Sequence, residues 1–442
     1  TEAVADHASR SRATAFGITA TTPQMPAVAQ IVPVIRKVRM DARVILGGTH
    51  VTLTHAAARL ENKKGFGGRG VRALSELMRM FDVLVTGDGE YAVLEALARD
   101  APKLVDGDNP NTPLFLTNKR LEESPWPARH LVDMDSYHYT IEGARASNLI
   151  AQIGCPFACN FCGGRESPML RRIRTRSTEN VVSEIRHLYE TYGVTGFMFH
   201  DDELNVYKQV VGLMNAIADE GDKLGVEWKM RGFVKAELFT DDQAVAMRRA
   251  GFRWLLVGFE SGSPRILENI NKKATREDNT RALQIAHRHG IKVKALMSLG
   301  HAGESHETIR ETKDWLLENN PADFDATVIT TYPGTPYFDR AVETKPGIWT
   351  YTAPSGDRLH AYETDWAKDA AYYKGFPGEY ESFVFTDHVS AEELVTLRDE
   401  LEADVRKQLG IPYNAGAPGV RYEASMGALP GFMLRRTGVA VG

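Results

Sequence analysis

Along the first hundred positions, apolar residues recur in two alternating rhythms. Ala13-Thr14-Ala15-Phe16-Gly17-Ile18 reads as a short buried strand, and Arg43-Val44-Ile45-Leu46-Gly47-Gly48 as a second strand running into a Gly-Gly turn. Between them Val28, Ile31, Val32 and Ile35 fall three and four apart, which predicts a helix over Met25 to Val38. A helix over Val71 to Met80, a third strand over Asp82 to Val85 and a helix through Leu97 continue the pattern. This alternation predicts parallel βα units with right-handed crossovers. A ligand in such a sheet sits at the strand ends, here Gly47-Gly48 and Gly87-Asp88-Gly89-Glu90. Residues 101–146 lose the rhythm. Pro, Asp and Asn crowd Asp106 to Pro113 and Pro125 to Pro127, so the stretch reads as a linker that Trp126 pins to a neighbouring domain.

A second βα series begins at Ser147. Its first strand is Asn148 to Ile153, followed by Val194 to Phe199, Glu227 to Val234, Arg253 to Phe259, Lys292 to Leu299 and Ala326 to Thr331. Helical stretches separate them: one through Tyr192 capped by Ser177 or Thr178, then Asp241 to Ala250, Arg276 to His289 and Glu307 to Asn319. Six βα units predict a partial barrel with its chemistry on the loops after the strands. Past residue 340, aromatic and acidic residues crowd the chain, among them Trp349, Tyr351, Tyr362, Glu363, Asp365, Trp366, Tyr372, Tyr373, Phe376, Glu379, Tyr380 and Glu381. A helix over Ala391 to Leu409 follows, with Ser390 and Glu393 as a capping box, and then a Gly- and Pro-rich tail, Gly410 to Gly442. The expected fold class is α/β: a Rossmann-like domain (1–100), a linker (101–146), a partial (β/α)6 barrel (147–340) and an α-rich C-terminal extension covering the barrel mouth (341–442).

Composition changes this picture little. With 43% hydrophobic and 25% charged residues the chain reads as an ordinary soluble protein. No apolar run is long enough to span a membrane, and a net charge of −5 argues against a nucleic-acid partner.

The cysteines change it more. All three of them lie in Gly154-Cys155-Pro156-Phe157-Ala158-Cys159-Asn160-Phe161-Cys162-Gly163-Gly164. The odd count and short spacings argue against disulfides, and clustered thiolates suit zinc or an iron–sulfur cluster. Structural zinc wants four protein ligands, so a zinc site needs a distant histidine; a cubane held by three cysteines leaves one iron open.

The spacing Cys-x3-Cys-x2-Cys, with Phe161 before the last cysteine, resembles that of the radical S-adenosylmethionine (SAM) enzymes. The resemblance implies a [4Fe–4S] cluster on Cys155, Cys159 and Cys162, whose open iron is chelated by the amino and carboxylate groups of SAM. An electron from the cluster then cleaves SAM to a 5′-deoxyadenosyl radical. An exposed, air-sensitive cluster fits a reducing cytoplasm. The same resemblance nominates strand-end residues. Phe161 and Gly163 belong to the cluster loop, and Asp201 lies near the SAM amino group. Arg231 pairs with its carboxylate, Glu260 or Ser261 bonds the ribose, and His301 lies in the adenine-side turn Gly300-His301-Ala302-Gly303-Glu304. His200, Asp202 and Tyr332, with Glu260, are the candidates for acid–base work.

Gly47-Gly48-Thr49-His50 and Gly87-Asp88-Gly89-Glu90 resemble the cobalamin-binding domain of one radical SAM subgroup. The Asp-x-His-x-x-Gly loop of that domain does not occur, and three of its usual five strands are visible. Either residues precede Thr1 or the domain has become a scaffold. His50 and His55 read as structural. This tilts the expectation away from bound cobalamin and toward a dehydratase of aminoglycoside biosynthesis, in which a sugar radical loses water. The alternatives are a cobalamin-dependent C-methyltransferase and, outside enzymes, an iron–sulfur or zinc scaffold or sensor. Expected partners are a small-molecule substrate such as an aminoglycoside, an electron donor such as flavodoxin or ferredoxin, and an NAD(P)H reductase acting on the product. The basic cluster Arg171, Arg172, Arg174 and Arg176 either binds an anionic substrate group or anchors the barrel to the first domain.

Overall fold

Four parallel strands, β1 (Ala15–Thr19), β2 (Arg43–Gly47), β3 (Val83–Gly87) and β4 (Leu104–Gly107), form the first sheet in that spatial order. The structure, a computed structural model, describes residues 1–65, 67–372 and 380–412; Tyr373, Phe376, Glu379 and the tail from residue 413 lie outside them. Helices α1 (Glu2–Arg10), α2 (Met25–Val38), α3 (Thr49–Lys63), α4 (Arg69–Met80) and α5 (Gly89–Leu97) flank the sheet. The stripe read in α2 is the buried one: Val28, Val32 and Ile35 pack on Val44 and Leu46 of β2. Two elements depart from the expectation. β4 lies inside the stretch read as linker, so the sheet has four strands rather than three. α3 carries no visible stripe because nine consecutive residues, His50 to Ala58, are all buried. A helix covered all round has no polar face to reveal its period.

The second sheet has seven strands in the order β13-β12-β11-β10-β9-β6-β5. They are β5 (Thr140–Ile141), β6 (Ala144–Leu149), β9 (Gly196–Phe199), β10 (Lys229–Phe233), β11 (Phe252–Glu260), β12 (Lys292–Leu299) and β13 (Asp323–Val328). Six run parallel and β5 folds back on β6, which gives the expected open barrel. β7 (Gln152–Ile153) and β8 (Arg174–Thr175) pair beside it. Helices α6 (Asn118–Glu123) and α7 (Pro168–Arg171) precede the crossovers α8 (Thr178–Tyr192), α9 (Val210–Leu224), α10 (Asp241–Arg249), α11 (Pro264–Asn269), α12 (Arg276–Arg288) and α13 (His306–Asn319). One core cluster joins Phe197, Phe199 and Met230 to Ile185, Leu213 and Ile217. Each such buried side chain contributes about 1.5–3 kcal/mol. After the short α14 (Pro336–Asp339), the extension contains the expected helix, α15 (Ala391–Leu409). It also holds an unexpected antiparallel sheet, β14 (Val342–Lys345), β15 (Ile348–Thr352), β16 (Arg358–Tyr362) and β17 (Val384–Thr386).

An open barrel has two free edges whose backbone groups need partners. On the β6 side, the carbonyls of Asn148 and Ile150 accept from Arg129 at 2.9 Å and Arg176 at 2.8 Å. Both guanidiniums rest on buried Glu184, each at 2.7 Å. On the β13 side, the carbonyls of Ala326 and Phe324 accept from Arg398 and Arg406 of α15. Those two rest on buried Glu402 at 2.6 and 3.3 Å.

The first sheet is clamped to the barrel at its strand ends. Asp88, after β3, forms a buried ion pair with Arg174. Asp108, after β4, accepts from Ser167 Oγ at 2.7 Å, Met169 N at 2.8 Å and Arg59 at 2.7 Å. Of the basic cluster, Arg174 is thus an anchor to the first domain, Arg176 pairs within the barrel with Glu184 and the Ile150 carbonyl, and Arg171 donates to the Pro156 carbonyl. Among the described residues, no helix is long and apolar enough to cross a membrane.

Candidate active site

The cysteine loop follows β6 and β7, and carboxylates from the end of β9 hold its stem. Buried Asp201 accepts from Gln152 N at 2.6 Å and Ala151 N at 3.1 Å. Asp202 accepts from Gly154 N at 2.8 Å. Further along, the Ala158 carbonyl accepts from Arg165 at 2.7 Å and Asn271 at 2.9 Å, while Asn160 N donates to the Ile270 carbonyl at 2.8 Å. Gly163 faces α3: a Cβ there would lie 2.9 Å from Leu53 Cδ1.

Desolvation is the first cause that raises all three thiols, with Cys162 pushed up to about 12 although it keeps access to the surface. For Cys162 the next causes are Cys159 and Cys155 themselves. Three thiols that oppose one another's ionisation suit a cationic centre that binds them as thiolates. Among the described residues, no three of His, Cys, Asp and Glu gather around one point to hold a single metal ion. A cubane asks for something different, since each thiolate takes its own iron corner.

Beside the thiols runs a buried polar chain. Lys272 Nζ is 3.1 Å from Glu260, and Glu260 accepts from Ser298 Oγ at 2.7 Å. Ser298 Oγ lies 2.8 Å from His301 Nε2, and His301 Nδ1 lies 3.1 Å from Tyr337 Oη. The His301 ring meets the Phe161 ring edge-on at 5.4 Å, joining the chain to the cysteine loop. Burial pushes His301 down to about 4, so it is neutral near pH 7. Glu260 owes its aim to a bulge. The β11–β12 register shifts between Gly258 and Glu260, and Glu260 takes a left-handed φ of 65°. A side chain on Gly258 would crowd the Glu260 carboxylate at 2.6 Å.

Two buried lysines complete the surroundings. Lys235 lies 4.2 Å over the Phe157 ring, donates to the Lys272 carbonyl at 2.9 Å and pairs with Glu237. Both lysines favour the Cys159 thiolate. Glu203 faces both; desolvation outweighs their pull and raises it to about 7. The sequence offered Glu203 within His200-Asp201-Asp202-Glu203, but nothing in it marked Lys235, Lys272, Ser298 or Tyr337.

The structure therefore divides the nominated residues. Cys155, Cys159, Cys162, Phe161, Gly163, Glu260 and His301 share one centre. Asp201 and Asp202 support its stem, their oxygens taken by backbone N–H groups. Ser261 is turned away: its hydroxyl meets Thr312 Oγ1 at 3.0 Å and accepts from Ser263 N at 3.1 Å within its own turn. Arg231 stacks 4.9 Å over Tyr139 and, with His200, lines a side cavity. Tyr332 joins Trp366 and Tyr372 of the extension, ring centroids 5.9 Å away in each case.

Residues 149–316 match the radical SAM superfamily, so the barrel is a radical SAM domain. Over 332 residues, 74% of this chain and 69% of the other, it is 29% identical to an uncharacterized methyltransferase of Pyrococcus horikoshii. It is 26% identical to an anaerobic magnesium-protoporphyrin IX monomethyl ester cyclase of Rubrivivax gelatinosus, over 72% of this chain but 56% of that one. Its fold is similar to that of the radical SAM methyltransferase TsrM from Kitasatospora setae, with TM-score 0.59 and 18% identity over 80% of this chain and 72% of that one. It is also similar to that of the cobalamin-dependent radical enzyme OxsB, with TM-score 0.54 and 16% identity over 72% of this chain and 45% of that one. These spans exceed the barrel, so the likeness extends into the flanking parts.

Proposed function

We propose that this chain is a radical SAM C-methyltransferase. The observation that carries the reading is the 29% identity to a methyltransferase across 74% of the chain, more than a shared barrel explains. The expected dehydration of an aminosugar draws no support from the relatives above. Cys155, Cys159 and Cys162 would hold a [4Fe–4S] cluster, which supplies the electron for reductive cleavage of SAM. Lys235 and Lys272 stabilise the thiolates, Asp201 and Asp202 fix the loop, and Glu260 and His301 offer polar atoms toward SAM. Cobalamin is named for the TsrM and OxsB structures. His50, beside the strand ends of the first sheet, is 2% exposed and its Nδ1 lies 3.0 Å from Thr22 Oγ1, so a corrinoid seated there would find its side chain covered.

The test is anaerobic reconstitution with iron, sulfide, dithionite and SAM, with and without cobalamin, followed by mass spectrometry of the nucleosides. S-adenosylhomocysteine formed only with cobalamin supports methyl transfer. 5′-Deoxyadenosine without S-adenosylhomocysteine under both conditions overturns it in favour of dehydration or rearrangement.

A further inference from the structure

A cavity of about 920 Å³ lies between residues 116–139 and the free edge of β6. Cavities that bind small molecules run roughly 300–1,000 Å³. Large apolar side chains that remain partly exposed converge on it: Trp126 (36%), Val132 (48%), Tyr137 (59%) and Ile150 (38%). Apolar surface gathered in one concavity marks a binding site more than the same residues scattered would. The charges nearest the β6 edge are spent on one another, since Arg129 and Arg176 share Glu184. The other polar groups in the lining are the Glu90 carboxylate, Ser124, Ser147, Asn148, the His200 imidazole and the Arg231 guanidinium, which stacks on Tyr139 and contacts Met198 Sδ at 3.3 Å. Along the chain, the wall of the cavity adjoins the stem of the cysteine loop. Ile153 in its wall is two residues from Cys155, and His200 is two residues from Asp202, which holds Gly154.

We infer that this cavity binds the substrate, and that the substrate is a large, mostly apolar, ring-containing molecule with one polar end held at His200 and Arg231. The substrate role rests on the methyl-transfer reading above; the ligand class rests on the cavity itself. A polyhydroxylated amine would find few acceptors here and would strand its hydroxyls against apolar walls.

The test uses the full reconstituted chain and the probe 8-anilinonaphthalene-1-sulfonate, an apolar ring system with one anionic group. Titration followed by fluorescence is expected to show one saturable site. Val132→Glu and Ile150→Glu, both at partly exposed positions that tolerate a charge, should weaken it at least tenfold. Leu131→Glu, at a 77% exposed position outside the cavity, should leave it unchanged. Kanamycin in excess should not displace the probe. The inference is overturned if the probe does not bind saturably, if both cavity variants bind it as the native chain does, or if kanamycin displaces it. S-adenosylhomocysteine release is measured separately on the native chain and on Leu131→Glu. Its absence defeats the methyl-transfer reading and leaves the probe result to decide the ligand class.

Discussion

Glu184 and Glu402 hold matching posts at the two free edges of the barrel. Each is fully buried, and each bridges two arginines that donate to carbonyls of an unpaired edge. Removing one partner of a buried ion pair leaves an uncompensated charge, which costs about 3–5 kcal/mol. Glu184→Ala should lower unfolding free energy by that order in urea titrations of the apo chain, and Glu402→Ala by less, because Arg406 keeps Asp323 at 3.0 Å and Arg398 keeps Asp399. A loss below about 1 kcal/mol for Glu184→Ala would show that its arginines find other anions or water.

Asp88 and Arg174 form a buried bridge between the first sheet and the barrel. Asp88→Asn removes the charge that Arg174 faces. The docked state should open more often, so limited proteolysis within residues 109–139 should run at least about tenfold faster, the effect of 1.4 kcal/mol. Equal cleavage rates would mean that Asp108 and Leu53 hold the two parts together without it.

Burial lowers His50 to about 4 in the folded chain, against an ordinary value near 6.5. Between these values the unfolded chain binds more protons than the folded one. Stability therefore rises with pH across this window and falls as pH drops through it, by up to roughly 3 kcal/mol from this group. His50→Gln cannot titrate, and its Tm should fall less steeply between pH 6.5 and 4. Parallel Tm curves for the two proteins would assign the acid sensitivity elsewhere.

Lys272 is the cation shared by Glu260, Glu203 and Cys159. Lys272→Met removes positive charge beside the cluster, which disfavours the added electron. Its reduction midpoint should move to more negative potential in an EPR-monitored titration, and SAM cleavage should slow at least about tenfold. An unchanged midpoint would place Lys272 outside the electrostatic reach of the cluster.

Gly163 leaves room for Leu53. Gly163→Ala should cost about 1–3 kcal/mol by overpacking. Leu53→Ala in the same chain should recover part of the loss, since the clash is with a side-chain tip. Absence of recovery in thermal unfolding would trace the cost to the backbone of the cysteine loop.

The barrel strands were legible because parallel strands buried on both faces read as apolar runs bounded by polar turns. β12 lies where the pattern put it, and β13 begins three residues earlier because Asp323 and Asp325, though charged, are buried in the strand. The cysteine loop was legible because its spacing is chemical rather than conformational. Lys235 and Lys272 were not, since a lysine in sequence carries the same sign whether it faces water or a thiolate. α3 was missed for the opposite reason to β4: it is buried on every side, whereas β4 is only four residues long and sits among turn formers. The sheet of the extension escaped because its strands mix exposed charge with aromatic residues, as in the fully exposed β14.

The contact of Leu53 with Gly163 extends to Gly334, where a Cβ would meet the Leu53 carbonyl at 2.9 Å. Two barrel glycines thus admit one turn of a first-sheet helix to the back of the cysteine loop, so the seat for the first domain is cut into the barrel. A barrel grafted onto another first domain would have to bring a residue shaped like Leu53 to the same turn. The modular unit of this protein is therefore the pair, and a chimera that respects the linker but not this wedge would assemble with its cysteine loop unsupported.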